Sequence, residues 1–216
     1  MTLSADIRDF FADSMIVESI IKELNEEIVY CPILRNLNRE LAKKVIDTDQ
    51  IKFSKLGKED RNEVFVYLGR ILESVLTCTL ADRFNVKKDR TSSGDLTIED
   101  VIWEIKGTSG NNSWTGSTHA SKKEDSSIDF IGIKYGINED ADVFEVTSAQ
   151  VNLIDEIFIG VFDDLTFIRR GSATKSNSRT SLLISVDDYD KVKEQVAWGN
   201  FRKPGKNGKY LQLEAA

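Results

Sequence analysis

The chain has 216 residues, of which 40% are hydrophobic and only 2 are prolines, and its formal net charge is −7 at pH 7. This composition predicts one ordered globular domain and argues against a disordered or fibrous chain. No apolar run approaches the length of a membrane span, and the N-terminus lacks the basic start and apolar core of a signal peptide. We therefore expect a cytoplasmic protein that does not bind membranes. Cys31 and Cys78 lack metal-ligand spacing, and we expect reduced thiols.

The N-terminal segment, up to about Lys55, has the spacing of amphipathic helices. Its apolar residues recur at helical intervals: Phe10, Phe11, Met15, Ile16, Ile20, Ile21, Leu24 and Ile28. Within a single domain spanning 1–216, we expect a mainly helical subregion over 1–55. Its apolar face either packs against the core, which we favour, or forms a dimer surface.

A longer helical pattern runs from Arg61 to Phe84. Apolar side chains again recur at helical spacing, at Val64, Phe65, Leu68, Ile71, Leu72, Val75, Leu76 and Leu80. Glu73 lies on this helix. It is either a solvent-exposed helical glutamate or a carboxylate that belongs to a functional site.

The segment from Ser93 to Gly107 has the pattern of a tight β-hairpin. With a turn at Glu99-Asp100, antiparallel pairing sets Ile98 opposite Val101, Thr97 opposite Ile102, Leu96 opposite Trp103 and Asp95 opposite Glu104. One face is then wholly apolar, with Leu96, Ile98, Val101, Trp103 and Ile105. The other face carries Asp95, Thr97, Ile102, Glu104 and Lys106. The turn is the unusual part, because two-residue turns favour Asn-Gly or Asp-Gly.

The rest of the chain predicts a mixture of strands and one short helix. We expect strands at Ile128 to Tyr135, at Ile157 to Phe162 paired with Leu165 to Ile168, and at Ser181 to Val186. A helix is expected from Asp187 to Val196, capped by Asp187 or Asp188. Helices that precede and follow strands in this way predict an α/β fold with a mixed central β-sheet flanked by helices.

The polar face of the hairpin suits a metal site. Asp95 and Glu104, if directly opposed, have Cβ atoms about 4.5–5.5 Å apart and repel each other unless a proton or a cation intervenes. Such oxygen ligands suit Mg²⁺, which takes one or two carboxylates together with phosphate oxygens. Lys106 would then orient an attacking water or help to deprotonate it, and would offset charge on a phosphoryl transition state. The alternative is an ordinary solvent face with a weak ion pair.

The order Gly94-Asp95, then Glu104-Ile105-Lys106-Gly107, resembles the PD-(D/E)xK nucleases, and within them the type II restriction endonucleases. A glycine stands where that family often has proline. The order of elements extends the resemblance over roughly 60–170. It implies a restriction-endonuclease-like core, Mg²⁺ held by Asp95, Glu104 and Ile105, and a catalytic role for Lys106. Family members often carry a glutamate on the preceding helix that points at the metal site, which implies such a role for Glu73.

The net negative charge conflicts with DNA binding unless the charges are segregated, since phosphate contacts need cations. Acidic residues crowd the first thirty positions, whereas the last fifty lean basic. Two polar loops, Asn111 to Lys123 and Arg169 to Thr180, carry the donors used for phosphates and base edges. The candidate DNA-binding residues are Asn111, Asn112, Trp114, Thr115, Ser117, Thr118, His119, Ser121, Lys122, Lys123, Arg169, Arg170, Lys175, Asn177 and Arg179. Each loop is otherwise a solvated surface loop.

These features lead us to expect a type II restriction endonuclease that hydrolyses duplex DNA with Mg²⁺. Cleavage of both strands of a palindromic site implies a symmetric homodimer. His119 is the single histidine, which argues against nuclease schemes that need several histidines and against a zinc site. The alternatives are another nuclease on the same core, such as a repair nickase or a junction resolvase, and a non-catalytic DNA-binding or partner-binding protein.

Overall fold

Three helices open the chain, as the N-terminal periodicity predicts. They are α1 (Leu3–Phe11), α2 (Ser14–Ile28) and α3 (Pro32–Lys44). Side chains cap the first two, because the Thr2 hydroxyl accepts from Ala5 N and the Asp13 carboxylate accepts from Met15 N at 2.9 Å. The fold is taken from a computed structural model that describes residues 2–44, 51–88, 95–109, 114–117, 129–143, 152–163, 168–170 and 179–214.

A short 3₁₀ turn (Phe53–Lys55) leads into the long helix α4 (Lys58–Ala81), which confirms the predicted helix. By length and composition, α4 is the one helix among the described residues that could span a membrane, so the expectation that no run approaches a span is wrong. This is weak evidence for a membrane, since the core helix of a soluble protein passes the same test. The inward side of α4, including Leu68, Leu72 and Leu76, is buried in the core.

The central sheet is mixed, which confirms the predicted α/β class. Its strands are β1 (Val86–Lys88), β2 (Leu96–Ile98), β3 (Val101–Ser109), β5 (Asp129–Ile137), β6 (Ile154–Phe162) and β9 (Val196–Trp198), in the order β1-β2-β3-β5-β6-β9. Among the strand pairs that the described residues form in this sheet, only β3–β5 is parallel. The chain reaches β5 through β4 (Trp114–Ser117), which belongs to a second sheet.

Two smaller sheets complete the described strands. The order β4-β8-β7 joins β4 to β8 (Arg179–Leu183) and β7 (Ile168–Arg170), and β10 (Asn200–Arg202) pairs with β11 (Gln212–Glu214). Of the predicted strand at Leu165 to Ile168, residues 165–167 lie outside the described residues, and Ile168 begins β7, which pairs with β8. The predicted C-terminal helix is divided into a 3₁₀ turn (Val186–Asp188) and α5 (Tyr189–Lys193). Ser185 caps the 3₁₀ turn, and Asp188 is the N-cap residue of α5, as predicted, although its side chain makes no capping hydrogen bond.

The two faces of the central sheet are covered differently. Residues at alternate positions, such as Ile131, Ile133, Ile157 and Ile159, pack against the helices in one cluster that includes the apolar sides of α1, α2 and α4. Side chains on the opposite face form an aromatic cluster of Trp114, Phe130, Phe158, Phe162 and Phe201, joined by Ile184 and Val192. The N-terminal helices therefore pack against the core, as favoured from the sequence.

Polar side chains of the helical layer fasten β6. The buried Asn25 amide donates to Ile154 O at 2.7 Å and accepts from Ile154 N at 2.9 Å. Arg8 donates to Val161 O at 3.0 Å, near the other end of the strand. The Asn25 amide thus bonds to both the N–H and the C=O of Ile154. Because these groups are paired with each other, their burial leaves none of them without a hydrogen-bond partner.

Gly132 gives a test of the aromatic packing. A Cβ at Gly132 would lie 2.6 Å from Trp114 Cζ2, within a ring cluster that has no room to retreat, whereas a Cβ at Gly69 on α4 would meet nothing within 4 Å. We expect Gly132→Ala to lower the free energy of unfolding by about 1–3 kcal/mol. Gly69→Ala should raise it by about 0.5–1 kcal/mol through helix propensity. Urea unfolding of both variants checks this, and equal effects would contradict it.

Candidate active site

The β2–β3 hairpin has the register that the sequence predicts. Its partners are Leu96 with Trp103, Thr97 with Ile102 and Ile98 with Val101, with the turn at Glu99-Asp100. Both turn residues have positive φ, 48° at Glu99 and 67° at Asp100, as a type I′ turn requires. The connection therefore keeps the two-residue geometry despite an unfavourable residue pair.

Asn85 explains how this turn is stabilised. Its carbonyl oxygen accepts from Glu99 N at 3.0 Å, and its own N–H donates to Glu99 Oε1 at 2.7 Å. Asn85 directly precedes β1, which pairs with β2. The residue that leads into the edge strand thus supplies the hydrogen bonds that compensate for the backbone conformation of Glu99, a contact with no local signal in the sequence.

The apolar face of the hairpin is buried, with one exception. Leu96, Ile98, Trp103 and Ile105 are 0–6% exposed and contribute to the helix-facing core. Val101, expected on the same face, is 36% exposed, because the hairpin end from Glu99 to Ile102 lies at the surface. Alternation therefore turns Glu104 and Lys106 toward the opposite side of the sheet.

Asp95, Glu104 and Lys106 meet on that side. Asp95 N donates to Trp103 O at 2.9 Å, and Asp95 Oδ2 accepts from Ile105 N at 2.8 Å, so Asp95 is bonded to both neighbours of Glu104. Lys106 Nζ lies 3.2 Å from Asp95 Oδ2 and 2.5 Å from Glu104 Oε1. The carboxylates therefore converge on one ammonium group. The Glu104 side chain is only 13% exposed.

The electrostatics of this cluster are unfavourable for Glu104. Desolvation raises its pKa, Lys106 lowers it through charge and a hydrogen bond, and the charges of Asp95 and Glu73 raise it further, so the net shift is upward. Burial lowers the pKa of Lys106, but the charges and hydrogen bonds of Glu104 and Asp95 outweigh burial and hold that pKa above its ordinary value. Lys106 is therefore a cation at neutral pH.

Glu73 belongs to the same electrostatic neighbourhood. It lies on α4, which packs closely against β3, since a Cβ at Gly107 would lie 2.4 Å from Leu72 Cδ2. Glu73 Oε1 is 3.4 Å from Lys88 Nζ on β1. The carboxylate is thus held near the hairpin by a cation, and its charge reaches Glu104.

The donor set fits a hard divalent cation. Asp95 and Glu104 offer carboxylate oxygens that already converge on a positive charge, and Mg²⁺ typically takes one or two protein carboxylates. The side chain of Ile105 is a buried hydrocarbon. The main-chain carbonyl is therefore the one oxygen that Ile105 could offer to a cation. The described residues contain no group of three or more His, Cys, Asp or Glu side chains arranged to hold a metal. A cation here would rely on oxygens from water or substrate as well.

The candidate DNA-binding residues fall into two groups. Trp114, Thr115 and Ser117 form β4, Arg169 and Arg170 lie on β7, and Arg179 begins β8, so these stretches are strands rather than the predicted loops. Asn111, Asn112, Thr118, His119, Ser121, Lys122, Lys123, Lys175 and Asn177 lie outside the described residues.

Trp114, one of the candidate DNA-binding residues, is buried in the core. Its side chain is 3% exposed, packs against Phe130 and Phe162, and donates from Nε1 to Ile133 O at 2.9 Å. The ring is an anchor of the aromatic cluster, because an amphipathic side chain can bury its apolar body once its N–H is bonded. It is therefore not available to a DNA groove.

No family model matches the chain, and no curated protein is significantly similar to it.

The raised pKa of Glu104 makes stability depend on pH. Folding raises this pKa, so Glu104 ionises less readily in the native state, and stability is lost as pH rises from the ordinary glutamate pKa through the raised value. In EDTA, Glu104→Gln should therefore be more stable than the unmodified protein at pH 7, with the difference shrinking toward pH 4. Urea unfolding at both pH values measures it. Asp100→Asn, which alters an exposed carboxylate of the same hairpin, is the control. A variant less stable at pH 7 would contradict the prediction.

Proposed function

We propose that this protein is a nuclease of the PD-(D/E)xK type that hydrolyses phosphodiester bonds of duplex DNA with Mg²⁺, most specifically a type II restriction endonuclease on a restriction-endonuclease-like core. The observation that carries the proposal is the convergence of Asp95 and Glu104 on Lys106, on a hairpin whose register is the one predicted from the sequence. A solvent-facing ion pair would not explain why Glu104 is buried among other carboxylates.

Each member of the cluster has a role that its surroundings support. Asp95 and Glu104 would bind the metal, which supplies Lewis-acid activation of the scissile phosphate and of the attacking water. Lys106, a cation at neutral pH, is suited to orient that water and to offset the charge that develops on the phosphoryl group. Glu73, whose charge already reaches Glu104, would act on the site from α4 through its charge.

The arrangement of charge favours a polyanionic substrate on one side of the sheet. Exposed acidic residues, including Asp9, Asp13, Glu18, Glu26 and Glu27, lie on the helical layer or its caps. Glu104 and Lys106 lie on the other face of the sheet, and the arginine-bearing β4-β8-β7 sheet extends from the aromatic cluster on that face. A net charge of −7 is therefore compatible with DNA binding on the side away from the helices.

Restriction of a palindromic site implies a homodimer, and such an enzyme would act in the cytoplasm. The closest rivals remain a repair nickase or a junction resolvase on the same core. A non-catalytic DNA-binding or partner-binding protein is the rival from a different class.

Digestion of a sequenced plasmid in Mg²⁺ tests the activity. Discrete fragments with defined ends are expected from the unmodified protein, whereas Asp95→Ala and Lys106→Ala should each lose about 10²–10³-fold or more in cleavage rate, because each removes a group placed at the reacting phosphate. DNA binding by both variants should survive. Asp100→Ala, at the exposed hairpin turn, should cut at the unmodified rate.

Three outcomes separate the candidates. Nicked circles or a preference for branched DNA would favour the nickase or the resolvase. No cleavage and no Mg²⁺ binding, with Glu104→Ala indistinguishable from the unmodified protein, would favour a non-catalytic role. Cleavage by Asp95→Ala at the unmodified rate would show that the site is misassigned.

A further inference from the structure

A positively charged β-ribbon lies near the C-terminal end of the chain. It consists of β10, β11 and the loop that joins them, residues 200–214, and is called the basic ribbon below. No acidic residue occurs in it before its last position, Glu214. Its cations are all exposed: Arg202, Lys203, Lys206 and Lys209. In a chain whose net charge is −7, this segment is a local concentration of positive charge.

The basic ribbon packs on the face of the central sheet that carries the candidate active site. Lys134 lies two residues beyond Gly132, the register partner of Lys106, so its side chain projects from the same face as Lys106. Lys134 Nζ donates to Leu213 O of the ribbon at 2.8 Å. The Phe201 ring of the ribbon belongs to the aromatic cluster on that face. Both strands of the ribbon are therefore attached to the side of the sheet on which Glu104 and Lys106 lie.

The tip of the basic ribbon is a closed turn. Gly208 N donates to Gly205 O at 2.8 Å, and a Cβ at Gly208 would lie only 2.3 Å from Pro204 Cβ, so the proline ring packs directly against the turn. Lys206 lies within this turn and Lys209 follows it, and these two residues are called the tip lysines. A backbone that is already ordered loses little conformational freedom when its side chains bind a partner.

The tip lysines differ from the other two cations of the ribbon. Arg202 Nη1 lies 2.9 Å from Glu214 Oε1, and Lys203 Nζ lies 4.4 Å from the centroid of the Tyr189 ring. Among the described residues, neither tip lysine forms an ion pair. Their charges are therefore the part of the ribbon's positive charge that no described side chain offsets.

Carboxylates border the ribbon at its base. Lys209 O accepts from Val186 N at 3.1 Å, so the 3₁₀ turn with Asp187 and Asp188 adjoins the returning arm of the ribbon. Asp187 Oδ2 accepts from the Ser185 hydroxyl at 3.4 Å, within its own turn. Because these carboxylates repel phosphate groups, a polyanion is expected to meet the ribbon at its tip and not at its base.

We infer that the tip of the basic ribbon, through Lys206 and Lys209, contacts the sugar–phosphate backbone of the duplex DNA whose scissile phosphate lies at Asp95, Glu104 and Lys106. The inference rests on the proposed nuclease function and specifies where its substrate is held. Ammonium groups that neutralise phosphates release counterions and so contribute affinity that depends on salt. Such contacts position the duplex without reading its sequence.

A matched pair of double variants tests the contact. K206A/K209A removes two positive charges from the tip, and K22A/K58A removes two from exposed lysines of the helical layer, on α2 and α4. Binding of a fluorescein-labelled random-sequence duplex is measured by anisotropy in EDTA, so that no cleavage occurs, across a range of salt concentrations. K206A/K209A should bind about tenfold more weakly at low salt, with a salt slope reduced by about 2. K22A/K58A should bind like the unmodified protein.

Two further variants separate charge from folding. K206R/K209R keeps both charges and should bind like the unmodified protein. K206Q/K209Q keeps long polar side chains without the charges and should bind as weakly as K206A/K209A. Since the tip lysines are exposed, all three tip variants should unfold at the temperature of the unmodified protein.

The outcomes distinguish this contact from the proposed activity. Unchanged duplex binding by K206A/K209A, or equal weakening by K22A/K58A, overturns the contact even where the unmodified protein cuts plasmid DNA in Mg²⁺. Weakened binding by K206A/K209A alone, in a protein that does not cut plasmid DNA, supports the contact and overturns the nuclease function. Failure of the unmodified protein both to bind the duplex and to cut plasmid DNA overturns the two proposals together.

Discussion

Burial of Trp103 and Ile105 beneath the helical layer is the constraint on which the candidate site depends. A strand must alternate its side chains, so packing these two residues inward forces Glu104 and Lys106 onto the opposite face. The same alternation continues across the parallel β3–β5 pair, where Lys106 stands beside Gly132 and therefore beside the Trp114 ring. The hydrophobic core thus positions the polar cluster, and no separate feature is needed to explain its location.

The sequence predicts the hairpin better than any other part of the chain. Apolar and polar side chains alternate along its strands, and a shift of the pairing by one residue would turn Glu104 into the core. The sequence does not reveal how Glu99 tolerates a positive φ, since the compensating hydrogen bonds come from Asn85, which directly precedes β1. The sequence also predicts loops over all of the strand at Trp114–Ser117 and over part of the strand at Arg179–Leu183. They are short and rich in small polar residues, and their pairing partner lies more than sixty positions away, so local patterns carry little signal for them.

The site is costly to the fold in the way that binding sites often are. Glu104 loses water and is repelled by the charges of Asp95 and Glu73, and the attraction of Lys106 does not fully compensate. Lys106 gains from the same arrangement, because it stands between two carboxylates that each favour its charged form. An excess of negative charge around a single ammonium is an arrangement in which an additional cation would relieve repulsion, and this is the physical reason for expecting affinity for a divalent metal.

Chain connectivity links the candidate active site to the aromatic cluster. β3 carries Glu104 and Lys106 and ends at Ser109, and the next described strand along the chain begins at Trp114. The Trp114 ring then returns to the central sheet and bonds to Ile133, one residue beyond the register partner of Lys106. Any displacement of the β4-β8-β7 sheet would therefore disturb the aromatic cluster, which lies beside Asp95, Glu104 and Lys106.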